Sequence, residues 1–206
     1  MTDLLRLARE LQSLAQTGLR YAADHYATER YEAVRRIAAQ LLAGATGPDV
    51  QRLQDLYESQ TGDATPKVDV RAAVFDDLGR ILLVRETSDA GRWTLPGGWA
   101  NVNDTPSESV VREVVEETGF VVEAAKLLMV QDRDRHNPPG VFHSYKLFFS
   151  CTLTGGSARG SHETSDPAFF ARDSIPHDLS LGRTTPTQIR RCFEHLDDPD
   201  LPTDFD

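Results

Sequence analysis

Glu113, Glu116 and Glu117 stand three and four residues apart, with Arg112 beside them, inside "GGWANVNDTPSESVVREVVEETGF", residues 97–120. On a helix, at about 100° per residue, the three glutamates share one face and Val111, Val114 and Val115 the other. Carboxylates at this spacing repel by roughly 0.2–0.5 kcal/mol per pair, and acids near a helix C-terminus oppose the macrodipole. A solvated acidic face relieved by Arg112 is one reading. The other is a divalent cation site, because Mg²⁺ takes several hard oxygen ligands and shares its shell with water and substrate phosphate.

The helix that carries these residues is well marked. Thr105 is the expected cap, Pro106 fills the first helical position, Glu108 completes a capping box and Gly119 closes the helix. Before it, "VDVRAAVFDDLGRILLVRE" reads as two strands joined at Asp77–Gly79, and "WTLPGG" as a short strand ending in a glycine turn. After it, "FVVEAAKLLMVQDR", "SYKLFFSCTLTGG" and "DPAFFARDSI" read as strands, and "TTPTQIRRCFEHL" as a helix capped by Thr185, with Pro186 and Gln188 in place. The strands–helix–strands order predicts an α+β domain over 65–196. Residues 1–64 predict three amphipathic helices, the second stopping near Gly44, whose spare apolar surface packs on the following domain and on a second copy of the chain. Residues 197–206, "DDPDLPTDFD", read as an acidic flexible tail.

The run resembles the box of the Nudix hydrolase superfamily: G, five residues, E, seven residues, REUxEExGU, with U aliphatic. Gly98, Arg112, Glu113, Val114, Glu116, Glu117, Gly119 and Phe120 fall in register. Asp104 stands where the first Glu is expected, and Phe120 replaces the aliphatic. "TGLRYAADHYATERYEAVRRIA", "GDATPKVDVRAAVF", "LLVRE", "WTLPGGWA" and "ETSDPAFF" resemble a Nudix subfamily with a helical N-terminal domain, associated with CDP-choline and ADP-ribose pyrophosphatases. The resemblance spans nearly the whole chain. It implies a Nudix fold, a mixed sheet between helices, and a homodimer through the N-terminal helices.

The implied reaction is Mg²⁺-dependent cleavage, with Mn²⁺ as a substitute, of a nucleoside diphosphate linked to a group X. The resemblance makes Glu113, Glu116, Glu117 and the Gly97 carbonyl metal ligands, and Arg112 a group that orients a glutamate. The general base is either Glu116 or Glu163, the latter in the Gly- and Ser-rich loop "GGSARGSHETSDPAFF". Arg71, Arg85, Arg133, Arg135 and Arg183 are cationic candidates for phosphate, with Arg71 and Arg85 preferred because they lie on strands leading to the box. His136 and His143 receive no role. A nucleotide-sensing module and RNA-end processing are the competing functions.

A net charge of −10 opposes binding to polyanions, which disfavours nucleic acid and acidic membrane partners. Charged residues interrupt the leucines of "MTDLLRLARELQSLAQ", so neither a signal peptide nor a membrane span is read there, and the expected location is the cytoplasm. Cys151 and Cys192 lack metal-ligand spacing and are expected to be reduced.

Overall fold

The structure is a computed structural model describing residues 2–47 and 49–206. It divides into two compact units, Met1–Pro66 with Pro139–His143, and Lys67–Pro138 with Ser144–Asp206.

The first unit holds helices α1 (Thr2–Tyr21), α2 (His25–Thr46) and α3 (Val50–Glu58). Ala8, Ala38 and Ala39 are fully buried, and these small side chains let the helix backbones approach around Leu5, Leu42, Leu53 and Tyr57. Asp24 caps α2 by accepting from the Ala27 N–H at 2.7 Å. The helix passes through Gly44 and stops at Gly47, in the left-handed conformation at φ 85°. A helical glycine costs only about 1 kcal/mol relative to alanine, less than burial of the adjoining Leu42 and Ala43 returns, so packing carries α2 past its expected stop.

The second unit is a mixed seven-stranded sheet ordered β3-β2-β1-β5-β4-β7, with β6 pairing β2. The strands are β1 (Lys67–Phe75), β2 (Ile81–Glu86), β3 (Arg92–Thr94), β4 (Phe120–Asp132), β5 (Ser144–Gly156), β6 (Thr164–Phe170) and β7 (Asp204–Phe205). β1 runs parallel to β5, and β4 antiparallel to it. Strand alternation divides the interior. Val70, Ala72, Val74, Leu82, Phe149 and Cys151 pack against Val110 and Val114 of α4 (Pro106–Thr118). Ala73, Ile81, Leu83, Met129 and Phe148 pack, on the other face, against Ile189, Cys192 and Phe193 of α6 (Pro186–Asp197). Both cysteines are buried and free. A one-turn helix, α5 (Arg133–His136), follows β4.

The expected flexible tail at 197–206 is instead docked, which corrects that reading. β7 pairs in parallel with β4 at Met129 and Val130. Thr203 Oγ1 donates to the Leu127 carbonyl at 2.7 Å, and Lys126 Nζ donates to the Leu201 carbonyl at 2.6 Å. Arg191 forks onto Asp204, and Asp206 Oδ1 meets His136 Nε2 at 2.7 Å. Three of the acids that make the segment look disordered are its anchors, because Asp197, Asp204 and Asp206 pair with Arg172, Arg191 and His136. Deleting residues 203–206 should lower stability by about 1–2 kcal/mol, or roughly 2–8 °C in Tm, measured by thermal denaturation. A tail without these contacts would leave Tm unchanged.

Candidate active site

α4 begins as its sequence dictates: Thr105 accepts from the Glu108 N–H, Glu108 reaches back to the Thr105 N–H at 2.8 Å, and Pro106 follows the cap. Gly119 ends it in the left-handed conformation. The buried side of the helix is formed by Ser109, Val110, Glu113, Val114, Glu117 and Thr118. Val110 and Val114, each worth about 1.5–3 kcal/mol when fully buried, hold it to the sheet, whereas Val115 is exposed. The glutamates do not form one outward face. Glu113 and Glu117 are 9% and 6% exposed, and only Glu116 faces solvent.

The turn Pro96–Gly98 shapes the space above them. Gly97 has φ 141°, and a Cβ there would lie 2.0 Å from the Val70 carbonyl oxygen, so only glycine fits. Its N–H donates to Glu117 Oε2 at 2.8 Å. A Cβ on Gly98 would stand 3.0 Å from Glu113 Oε2, so the bare backbone leaves just enough room for that carboxylate. The turn is itself tied to β1, with the Val70 N–H donating to Gly98 O and the Ala72 N–H to Pro96 O. Thr164 Oγ1, from β6, donates to the Glu117 carbonyl at 2.8 Å.

Arg112 Nη1 lies 2.9 Å from both Glu113 Oε1 and Glu116 Oε2, and Nε lies 3.2 Å from Asp104 Oδ2. Burial works against the guanidinium's charge, but Glu113, Asp104 and Glu116 together hold it firmly cationic. Asp104 therefore anchors Arg112, and its shorter side chain suffices for that contact.

Burial pushes the Glu117 carboxyl up to about 8, aided by the charges of Glu113 and Glu86 and opposed by Arg71 and the Gly97 N–H. Burial likewise raises Glu113, against the pull of Arg112. Two adjacent acids are thus held where their ionised forms are poorly compensated. A hard divalent cation fits this donor set, since it would replace the missing positive charge and accept carboxylate oxygens. Glu113 and Glu117 are the residues that could hold it, with Glu116 and the Gly97 carbonyl beside them. Among the described residues no three His, Cys, Asp or Glu side chains already converge as a metal cluster.

The remaining sequence candidates separate. Arg71 is 3% exposed and forked onto Asp69, with Nε to Oδ1 at 2.7 Å and Nη2 to Oδ2 at 3.0 Å, while Nη1 donates to the Leu95 carbonyl. Burial opposes its charge, which Asp69 and then Glu117 and Glu113 sustain. It is a buried counter-charge near the acids. Lys146 Nζ shares Asp69 at 3.1 Å, and burial brings this lysine down to about 7. Arg85 alternates onto the α6 face of β2, away from α4, where its guanidinium lies 4.6 Å over the Trp93 ring and donates to Gly91 O. Glu163 is fixed through its backbone, its carbonyl accepting from the Thr87 N–H and Oγ1, while its side chain is exposed beside His162 at 3.2 Å. Glu86 was not read from the sequence. It is 8% exposed at the end of β2, and only its strand parity, shared with the buried Leu82 and Val84, could have indicated that it faces α4.

Residues 65–188 match the family model described as "NUDIX domain". The chain belongs to the Nudix hydrolase family. Residues 2–57 match a second model, "UDP-X-like, N-terminal oligomerisation domain". The chain is 40% identical over 206 residues, 100% of its own length and 98% of the relative's, to a Bacillus subtilis protein named "Putative ADP-ribose pyrophosphatase YjhB". The crystal structure of a Streptococcus suis ADP-ribose pyrophosphatase matches 69% of this chain and 100% of that one at 39% identity, with a TM-score of 0.63. A UDP-X diphosphatase structure matches 99% of this chain and 98% of its own at 31% identity, also with a TM-score of 0.63. This Nudix chain is accordingly an enzyme with the expected α+β fold behind a helical N-terminal region. Among the described residues no helix is long and apolar enough to cross a membrane.

The Glu117 carboxyl rises from an ordinary 4.5 to about 8 on folding, so the folded form binds the extra proton between those values. Stability of the metal-free protein should therefore fall as pH rises from about 4.5 to 8. A divalent cation should raise Tm more at pH 8 than at pH 5, and Glu117→Gln should flatten both trends in thermal scans.

Proposed function

We propose that the chain hydrolyses the diphosphate of a nucleoside diphosphate linked to a second group, with Mg²⁺ or Mn²⁺, giving a nucleoside monophosphate and a phosphorylated partner. ADP-ribose and UDP-X compounds are the leading substrates, from the names of the relatives, and CDP-choline is the next compound of the same chemistry. The observation that carries this reading is the pair of buried, charge-starved carboxylates, Glu113 and Glu117, under a glycine turn. A sensing module has no need for so costly a pair, and the charge of −10 disfavours RNA ends.

A divalent cation held there supplies charge neutralisation for the diphosphate and lowers the barrier to attack by water. The chain's own groups do the rest. Glu113, Glu117 and the Gly97 carbonyl form the binding wall. Arg112, braced by Asp104, sets the Glu113 and Glu116 rotamers. Glu163 takes the proton from the attacking water, because Glu116 is engaged by Arg112 and because Thr87 pins the Glu163 backbone next to Glu86 on the α4 side of the sheet. Water attacks phosphorus, the bridging P–O bond breaks, and the proton ends on the departing phosphate.

The N-terminal unit is proposed to dimerise. Leu4, Leu7 and Leu14 are about half exposed along α1, on a stripe distinct from the buried Leu5, Ala8 and Ala15, and the matching family model is described as an oligomerisation domain.

Purified protein with Mg²⁺ should release phosphate from ADP-ribose, a UDP-sugar or CDP-choline once a phosphatase acts on the products. Inactivity towards all of them would refute the assignment. Glu117→Gln should lower kcat by at least about a hundred-fold while remaining folded, and Glu163→Gln by a similar factor; normal turnover in the latter would return the base to Glu116. Leu7→Glu with Leu14→Glu should convert a dimer to a monomer in light scattering.

A further inference from the structure

Arg183 lies on the loop between β6 and α6. Its Nε stands 3.1 Å from Glu86 Oε2, and its Nη2 donates to Ser88 Oγ at 3.0 Å and Nη1 to Ser180 Oγ at 3.4 Å. Glu86 is held in turn, its Oε1 accepting from Ser88 N–H at 3.1 Å and Oγ–H at 2.6 Å. The guanidinium has five N–H groups and three acceptors among the described residues, so two remain for a ligand. Its side chain is 32% exposed, whereas that of Glu86 is 10%.

The location of this pair gives it meaning. Glu86 is paired across the sheet with Thr164, whose hydroxyl donates to the Glu117 carbonyl. Glu86 also adds to the negative charge felt at Glu117. A fourth acid beside crowded carboxylates is unfavourable unless it holds something the site requires, and what it holds is an arginine. The loop does not depend on that ion pair for its own anchorage: Ser180 N–H donates to Trp93 O at 2.8 Å, Leu95 N–H donates to Thr184 Oγ1 at 3.2 Å, and the Thr94 and Thr184 hydroxyls meet at 2.9 Å. The other arginines of the neighbourhood are otherwise engaged. Arg71 is buried on Asp69, Arg112 is held by Asp104 and the glutamates, and Arg85 stacks on Trp93 on the opposite face.

We propose that Arg183, positioned by Glu86, is a phosphate-binding residue of this site and grips the diphosphate of the nucleotide substrate through the outer edge of its guanidinium. This rests on the proposed function, so the test separates binding from turnover. Arg183→Ala, Arg183→Lys and Glu86→Gln are compared with the unaltered protein in two ways: steady-state kinetics on the hydrolysed compound, and calorimetric titration with α,β-methylene-ADP and Mg²⁺, which needs no turnover. Arg183→Ala should raise both KM and the Kd of the analogue by about ten-fold or more, with Tm within about 2 °C of the parent. Arg183→Lys should recover part of this, and Glu86→Gln should show a smaller rise in KM, since the cation remains but its orientation is lost. An unchanged Kd in Arg183→Ala overturns the proposal, and a fall in Tm and kcat at constant Kd identifies a loop latch instead. If the unaltered protein binds the analogue in an Arg183-dependent way but hydrolyses nothing, the proposed function fails while the arginine site stands. If it neither binds nor hydrolyses, both fail.

Discussion

Two glutamates one helical turn apart are buried together, and the rest of the site follows from making that tolerable. Glu113 and Glu117 lose solvation and repel each other, and each responds by titrating above the usual carboxylate range. The protein supplies partial relief from three directions: the Gly97 N–H above, Arg112 along the helix, and Arg71 from within the sheet. None of these is a full counter-ion to both acids. In the proposed function a divalent cation would make good this shortfall, so metal affinity would depend on the packing of α4.

That packing is an ordinary consequence of sequence. The capping box and proline fix where α4 starts, Val110 and Val114 fix which side faces the sheet, and the three-residue phase then carries Glu113 and Glu117 inward while leaving Glu116 outside. The glycine turn is the other half of the device. A side chain at Gly97 would collide with β1, so the backbone itself comes within hydrogen-bonding distance of Glu117. β1 is central in the sheet and pairs with β5 along its whole length, which makes the turn a rigid platform rather than a mobile loop.

Much of this was legible in the residues, because local signals and the long-range fold agree there. Caps at Thr105 and Thr185, the turn signal joining β1 and β2, and the spacing of the three glutamates are all short-range patterns. What could not be read depends on partners distant in sequence. The 197–206 segment looks disordered until Arg191, Lys126 and His136 are brought to it. Arg71 and Arg85 look equivalent, yet one lies on Asp69 and the other on Trp93, a difference set by the neighbouring strands. Glu86 belongs to the same class, since its importance comes from Thr164 and Arg183. Asp104, a departure from the family pattern, contacts Arg112.

The proposed purpose of the buried acids is to hold a divalent cation beside the glycine turn. Anomalous diffraction from crystals soaked in Mn²⁺ tests it most directly. The predicted result is a strong peak contacting the carboxylates of Glu113 and Glu117, lost in crystals of Glu117→Gln. A peak confined to other acids of the chain, or none at these two, would contradict it.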